Sequence, residues 1–574
     1  MGHPSITILY GSETGNSQEF AQVLGRKCLY LSLNTVVSSL DNFDLKRLLD
    51  VKLLVVICST TGQGDIPRNG KKFWKFMLKK GLPSDLLSHL SFTTFGLGDS
   101  SYAKFNYAIR KIHKRLIQLG AHEFSDRAES DEQSPEGNEG YYAEWERRLL
   151  EKIKKLSHHE IDPNTLLPPM NGIVPQTSKF KKITDNVKEV ALTRSDLITG
   201  IIGANERITS PDHFQDVRRL VIKDPSNSLE YKPGDTVALY PSNDPKDVES
   251  LIEDQDWQNI ADFPLIIDGP TPTIEGGLVK KLTLRSLLTH HLDIMSIPRR
   301  SFFMIAHHFS TDEREREKLY EFSLIENIDA LYDYANRPRR SILETILEFH
   351  SLHIPVQYVF DLIPTIKPRL FSISSNPSPS TVELTVAIVE YRTIIKRLRK
   401  GVCTRWVKEL EENDRIKFSI HPNNVKFSSG PLIMVAPGTG IAPVKSIIEQ
   451  RLELGLQDMY LFTGNRFHDK DFLYGDLWES LASKSQLQLF PSFSRDEKKS
   501  YVQDTLYAQS NLIFDLIYNK NATFYLCGSS GKMPIQVRIT IETILEDHLG
   551  ISNEESKSLC LELENKGRYI QETW

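Results

Sequence analysis

Short aliphatic runs that end in loops of Gly, Ser, Thr and Asn, then lead into amphipathic helix patterns, recur at both ends of this chain. ITILY (6–10) runs into Gly11-Ser12-Glu13-Thr14-Gly15-Asn16-Ser17 and then EFAQVLGRKCLYL. LLVVICST (53–60) meets TTGQGDIPRNG before KKFWKFMLKK, and SFTTFGLGDS (91–100) precedes SYAKFNYAIRKIHKRLIQLGA. Strand, polar loop and helix in repetition predict a parallel α/β sheet. Ligands of such sheets sit at the carboxyl ends of the strands, where these loops converge. From 429 onward the rhythm returns in PLIMVAPGTGIAPVKSIIEQRL, DMYLFTGNR and ATFYLCGSSGKMPIQVRITIETILE.

The middle of the chain has a different texture. Residues 153–190 are rich in Pro, Lys, Ser and Asn without a sustained period and read as a linker. VALTRSDLITGIIGANERI, HFQDVRRLVIKDP, RLFSISSNP and VELTVAIVEY alternate as antiparallel strands do, while 245–365 is mostly helical. The expected fold class is multidomain α/β and β. A parallel α/β domain spans 1–152, and an antiparallel β domain is built from 191–244 and 366–428. A helical insert over 245–365 interrupts it, and a second parallel α/β domain spans 429–574. With 574 residues, a prior of about 150 residues per domain suggests roughly four units, in line with this reading.

Composition narrows the function. The formal net charge of −5 provides no global positive field, so nucleic acid is not an expected partner. The 5 cysteines are few, odd in number and far apart, which disfavours a disulfide framework and a structural metal. They fit a reducing, intracellular compartment. MGHPSITILYGSETG lacks a basic segment leading into an apolar one, and the aliphatic runs are far short of the ~20 residues that span a bilayer. A soluble chain without a membrane anchor is expected.

Four groups of residues carry chemistry. Ser12, Glu13, Thr14, Gly15, Asn16 and Ser17 lie between strand and helix, where backbone N–H groups and the helix dipole suit a phosphate, although an ordinary N-cap turn has the same composition. Thr60, Thr61, Gly62, Gln63 and Gly64, then Gly98, Asp99 and Tyr102 with Asn106 beyond, form two glycine-containing loops after the next strands. Glycine lets the backbone approach a flat ring and Tyr102 could stack on it. Gly438, Thr439 and Gly440 follow the strand LIMVA and precede a helix pattern, the arrangement of a pyrophosphate turn. Ser494, Arg495, Lys499 and Tyr501 put two cations and two hydroxyls on one loop, read either as a solvated charge run or as a phosphate site.

Taken together these loops resemble the diflavin reductase family. GLGDSSYAKFN is a close match to that family's FMN loop, so the first domain is expected to be flavodoxin-like. By resemblance Ser12 to Ser17 hold the FMN phosphate, Gly62 lies near the reactive ring edge and Tyr102 covers one face. Thr61 departs from microsomal cytochrome P450 reductase, which has an aromatic residue there. Arg369-Leu370-Phe371-Ser372 resembles the R-x-Y-S segment of ferredoxin-reductase-type FAD domains, with Phe371 in place of Tyr. The resemblance implies that Arg369 binds the FAD phosphates, Phe371 packs on the flavin and Ser372 reaches its N5 region. Gly401-Val402-Cys403-Thr404 matches the second FAD segment. Ser494 to Tyr501, one residue shorter than in the family, and Gln503 would hold the 2′-phosphate end of NADPH. Ser372, Cys527 and Glu572 would line the hydride-transfer site, with the terminal Trp574 over the flavin. Glu572 stands where the family often has Asp.

Lack of an anchor and a linker of about 40 residues disfavour microsomal P450 reductase and methionine synthase reductase respectively. Asn205-Glu206-Arg207-Ile208-Thr209, HFQDVRRLVIKD (213–224), TTGQGD and the ending ETW resemble most the cytosolic NADPH-dependent branch. The resemblance implies a cytoplasmic enzyme passing electrons from NADPH to FAD to FMN and on to the iron–sulfur protein anamorsin in cytosolic iron–sulfur cluster assembly. A different haem or redox enzyme as acceptor, or a redox-inactive scaffold, are the alternatives. Residues 121–146 hold nine acidic side chains (Glu123, Asp126, Glu129, Asp131, Glu132, Glu136, Glu139, Glu144, Glu146), either a solvated loop or a docking patch for the acceptor.

Overall fold

The computed structural model describes the chain except residues 1–4, 32, 63, 103, 135–136, 157–178, 183–196, 269–282, 395 and 424. Gln63, Glu136 and most of the expected linker therefore lie outside the described residues. Two compact units divide the chain: Met1–Glu189 with Pro245–Ile274 and Lys280–Thr365, and Val190–Asp244 with Glu275–Val279 and Ile366–Trp574.

In the first unit, strands β1 (Ser5–Gly11), β2 (Asn34–Ser39), β3 (Leu53–Ser59), β4 (Ser91–Gly98) and β5 (His122–Glu123) form a parallel sheet in the order β2-β1-β3-β4-β5, with β6 (Ala128–Asp131) also pairing β4. Successive residues of β3 enter opposite cores: Leu54, Val56 and Cys58 on one face, Val55 and Ile57 on the other. A strand buried on both faces needs a continuous apolar run, and LLVVIC supplies it. Helices Asn16–Tyr30 and Gly137–Leu156 cover one face through Phe20, Leu24, Tyr142 and Trp145. Helices Lys71–Met77 and Tyr107–Gln118 cover the other through Phe73, Ile109 and Ile112.

The same unit holds the helical insert, including helices Pro245–Asp254, Leu284–His290, Arg300–Ala306 and Ile342–Glu348. Capping boxes at Thr283/Ser286 and Ser341/Glu344 start two of these helices. Charged contacts join the insert to the α/β domain, among them Arg26 to Asp361 at 3.5 Å and Arg300 to Glu139 at 3.2 Å. Within the expected linker, β7 (Lys179–Lys182) forms a strand that pairs antiparallel with β11 (Leu265–Asp268) of the insert. A composition rich in Pro and Lys does not announce this pairing, because the partner strand lies far away in sequence.

The second unit begins with β8 (Ile198–Arg207), β9 (Val217–Lys223) and β10 (Thr236–Leu239). It continues after the insert with β12 (Arg369–Ser372), β13 (Thr381–Ala387), the hairpin β14 (Glu390–Arg392) and β15 (Leu398–Lys400), and β16 (Arg415–His421). Six of these strands make an antiparallel sheet in the order β12-β10-β16-β8-β9-β13. An Ile373–Leu384 bridge and the Ser374 N–H to Glu383 carbonyl bond (2.8 Å) join its two ends into a closed barrel.

A parallel sheet follows, with β17 (Leu432–Pro437), β18 (Met459–Asn465), β19 (Gln488–Phe493), β20 (Thr523–Gly528) and β21 (Tyr569–Thr573) in the order β19-β18-β17-β20-β21. Helix Ile441–Glu453 ties this sheet to the barrel: Ser446 Oγ donates to the Ser375 carbonyl at 2.7 Å, and the buried Lys445 ammonium lies between Glu449 (2.6 Å) and Glu383 (3.7 Å).

One ion pair in the first unit is deeply placed. Lys27 Nζ lies 2.5 Å from Glu146 Oε2, with side chains only 12% and 5% exposed, and the Tyr142 hydroxyl donates to Glu146 and to the Phe20 carbonyl, each at 2.9 Å. Removing one partner strands a buried charge. Lys27→Met is expected to destabilise this unit by about 3 kcal/mol in urea unfolding, and Lys27→Met with Glu146→Leu to recover most of the loss.

Candidate functional site

The three loops of the first sheet meet because their strands are neighbours. Gly11 is in register with Cys58 and Ser59 with Leu97, so β1, β3 and β4 end side by side. In the first loop, Gly15 is left-handed (φ 102) and its N–H donates to Ser12 Oγ at 2.9 Å, turning the chain into the helix at Asn16. The Ser12 N–H donates to Asn69 Oδ1 (2.9 Å), and the Arg68 N–H to Glu13 Oε2 (2.9 Å). Ser17 Oγ is fully buried and has no hydrogen-bond partner among the described residues. A buried hydroxyl with nothing to bond, at a helix amino terminus, fits an anion.

The second loop is a tight hairpin closed by reciprocal bonds between Thr61 and Asp65 (3.1 and 2.8 Å), with positive φ at Gly62 and Gly64. The Thr60 hydroxyl accepts from the Ala108 N–H at 3.3 Å. In the third loop, Asp99 accepts from the Ser101 N–H (2.9 Å), and the Tyr102 ring is 41% exposed. Asn106 is wholly buried beneath Gly98, where it donates to the Ser130 carbonyl at 3.0 Å. Glycine backbone, an exposed aromatic ring and a phosphate-sized helix start fit a flavin mononucleotide.

In the second unit, β12 leaves Arg369 and Leu370 exposed and Phe371 and Ser372 partly so. The Gly401 loop caps helix Val402–Glu409, whose Cys403 packs into the barrel core. The Thr404 hydroxyl is engaged locally, accepting from the Val389 N–H at 3.0 Å and lying 3.4 Å from the Gly401 carbonyl. Beside this loop lies a hollow of about 290 Å³ lined by Arg218, Val389, Lys400, Arg405, Lys408 and two glutamates among others. Two cations of this hollow are paired, Arg405 with Asp244 and Glu409 and Lys408 with Asp216 and Glu390, whereas the exposed Arg369 suits the pyrophosphate of a dinucleotide.

At the end of β20, Cys527 is in register with Glu572 of β21. Glu572 accepts from the Tyr525 hydroxyl and from the Asn423 amide. Asn423 is held by its own N–H to Asp235 Oδ1 at 2.7 Å, and the Asp235 carbonyl accepts from the Ile373 N–H at 3.1 Å, next to Ser372. One relay thus links the strand carrying Ser372 to the strand carrying Glu572. Burial raises the Glu572 carboxyl above its ordinary value, with the two hydrogen bonds pulling the other way. Burial also pushes the Cys527 thiol well up, so Cys527 is a neutral thiol and not a nucleophilic thiolate. Trp574 is 53% exposed; its N–H donates to the Gly528 carbonyl at 3.2 Å and its carbonyl accepts from Ser530 at 2.8 Å.

The remaining loops again lie at adjacent strand ends, with Pro437, Gly464 and Ser492 in register. Gly438 has φ 57, and a Cβ on Gly440 would stand 2.1 Å from the Cys527 carbonyl oxygen, so only glycine permits this approach. The Ser494 N–H donates to Asn465 (3.0 Å) and the Arg495 N–H to the Arg466 carbonyl (2.8 Å), leaving the Arg495, Lys499 and Tyr501 side chains exposed. Gln503 sits in the first turn of helix Val502–Ala508. The glycine turn and exposed cations fit a phosphorylated dinucleotide.

Sequence reasoning missed Asp235, Asn423 and Tyr525, which carry no local signal. The acidic run 121–146 was open to two readings, a solvated loop or a docking patch. Six of its nine acids are engaged within the unit: Glu123 with the Arg127 N–H, Glu129 with Arg110, Asp131 with the Ser100 and Gln133 N–H groups, Glu139 with Arg300, Glu144 with Arg147, and Glu146 with Lys27. Among the described residues, no helix is long and apolar enough to cross a membrane, and no group of three or more His, Cys, Asp or Glu could hold a metal.

Comparison with known proteins gives three matches along the chain. The flavodoxin family matches residues 8–145, the FAD binding domain 202–406 and the oxidoreductase NAD-binding domain 434–538. Full-length relatives named NADPH-dependent diflavin oxidoreductase 1 come from Debaryomyces hansenii (54% identical, covering 99% of this chain and 98% of the relative) and Candida albicans (50%, with 99% of each covered). The relative of that name from Saccharomyces cerevisiae is 41% identical over 99% of both chains. With three domain matches in this order and relatives of this identity along the whole length, the chain is an oxidoreductase that belongs to the NADPH-dependent diflavin oxidoreductase family.

Proposed function

We propose that this chain takes two electrons from NADPH and passes them through FAD and FMN, singly, to an acceptor protein. The observation that carries this reading is the presence in one chain of three loop systems fitting two flavins and a dinucleotide, each inside the corresponding domain match. We assign the iron–sulfur protein anamorsin as acceptor, in cytosolic iron–sulfur cluster assembly and hence in the cytoplasm. The support is the resemblance of 205–209, 213–224 and the ETW ending to that branch of the family.

When bound, the nicotinamide and the two flavins supply the hydride and electron transfers that turn one two-electron delivery into two single ones. The chain's residues bind, orient and stabilise. Ser12 to Ser17 would hold the FMN phosphate, the 60–64 and 98–102 loops its ring, and Arg369 with the Gly401 loop the FAD pyrophosphate. Gly438 to Gly440 would admit the NADPH pyrophosphate, and Arg495 with Lys499, Ser494, Tyr501 and Gln503 its 2′-phosphate. Ser372, Cys527 and Glu572 would face the reacting rings. An ionised Glu572 stabilises the positive charge that builds on a nicotinamide as it is oxidised. Trp574, tethered by its backbone with an exposed side chain, would cover the flavin and turn aside for the nicotinamide.

The central test is an anaerobic NADPH titration followed by visible absorbance, with the released flavins identified. One FMN and one FAD per chain and full bleaching are expected; absence of either flavin refutes the reading. Turnover of purified anamorsin should exceed that of sulfite reductase haem subunit or cytochrome P450 under the same conditions. Arg495→Ala is expected to raise KM for NADPH about 10- to 100-fold and leave NADH use unchanged, the size of a lost charge-assisted phosphate bond.

Glu572 makes a pH prediction. A carboxyl raised by folding contributes stability that is full below its ordinary value of 4.5 and is lost as pH rises through the folded value. Glu572→Gln is neutral throughout. Relative to the parent, its thermal midpoint should therefore improve more at pH 8 than at pH 4.5, while flavin reduction by NADPH slows about tenfold or more.

A further inference from the structure

The first turn of helix Asn16–Tyr30 is contacted from outside its own domain. Arg299 and Ser301 of the helical insert reach it at the start of helix Arg300–Ala306. Arg299 Nη2 donates to Asn16 Oδ1 at 2.7 Å, its Nη1 pairs with Glu19, and Ser301 Oγ donates to Glu19 Oε1 at 2.5 Å. The neighbouring Arg300 is committed elsewhere, to Glu139 at 3.2 Å and to the Ser323 carbonyl at 3.3 Å, and is 8% exposed. Arg299 is different: its side chain remains 42% exposed beside Glu19.

Asn16 stands at the first helical position after left-handed Gly15, one residue before the buried, unpartnered hydroxyl of Ser17. That is the place an anion would occupy, and it brings a guanidinium within one side chain of it. Planar, permanently charged guanidinium pairs well with phosphate oxygens, and a phosphate monoester is close to a dianion at neutral pH. Glu19 neutralises Arg299 when nothing else does; a dianion nearby competes for the same group.

Resting on the FMN reading of this loop, we propose that Arg299 of the helical insert is a further contact to the FMN phosphate, reached beside Asn16, so that flavin retention and seating of the insert on the flavodoxin-like domain are coupled. Linkage makes the coupling reciprocal: whatever factor the phosphate adds to the seating, the seating adds to FMN affinity. Two further contacts of this seam, Arg300–Glu139 and Arg26–Asp361, are ion pairs, so the seating weakens with salt.

The test compares FMN with riboflavin, which has the same ring and lacks the phosphate. The full-length protein, stripped of FMN and kept loaded with FAD, is titrated with each while flavin fluorescence is followed. Arg299→Ala should weaken FMN about fivefold or more and leave riboflavin unchanged, Arg299→Lys should recover part of the loss, and Glu19→Gln should tighten FMN alone. The FMN advantage over riboflavin should also shrink in 0.5 M salt in the parent and less so in Arg299→Ala. Equal effects on both ligands, or none, in Arg299→Ala overturn the inference and leave the FMN site standing. Should Arg299→Ala not fold, the same ratios in Arg299→Lys and Glu19→Gln decide it. A parent that binds riboflavin as tightly as FMN overturns the phosphate site itself.

Discussion

The side-chain amide of Asn423 is the joint on which the second unit depends. It donates to Glu572 on the last strand, while its backbone is held by Asp235, whose carbonyl in turn accepts from the residue after Ser372. Asp235 is 3% exposed and its other oxygen accepts from the Lys232 N–H at 2.9 Å. Buried carboxylates are tolerated only where donors meet them, and here the donors are the N–H groups of Lys232 and of Asn423, just beyond the barrel strand Arg415–His421. The strands carrying Ser372 and Glu572 are thereby tied together by a short run of hydrogen bonds.

Cys527 stands where three requirements meet. Its carbonyl faces Gly440 of the dinucleotide turn, its strand register faces Glu572, and its side chain lies against buried Tyr525. The Gly438–Gly440 turn and the Glu572 pairing therefore meet at one residue, so a backbone shift at either end is felt at the other. Close-packed interiors transmit such shifts because they have little room to absorb them.

The loops were legible in the sequence because each is written locally: a β-branched run, then Gly, Ser or Thr, then a helix pattern. The parallel sheets follow from that rhythm, and the domain matches fall in the expected order. Asn423, Asp235 and Tyr525 were not legible, because their partners are far along the chain and no periodic pattern marks a single buried polar residue. Arg299 was hidden for the same reason. The acidic run is a case of the opposite kind: its residues cluster in sequence, yet Glu123 and Asp131 bond nearby backbone while Glu146 and Glu139 are drawn into separate ion pairs. A run of like charge in a sequence says little about where those charges end up.

The barrel also explains how one β domain accommodates a long helical excursion. Strands β10 and β12 are antiparallel neighbours with Leu239 opposite Arg369, so residues 240–368 leave and re-enter the sheet at one paired position. Topologically the excursion is the turn of a hairpin. Closure entropy grows only with the logarithm of loop length, so the register that leaves Arg369 exposed depends only weakly on how much chain the turn contains. Helices can be added to or trimmed from that turn over evolutionary time without redrawing the barrel.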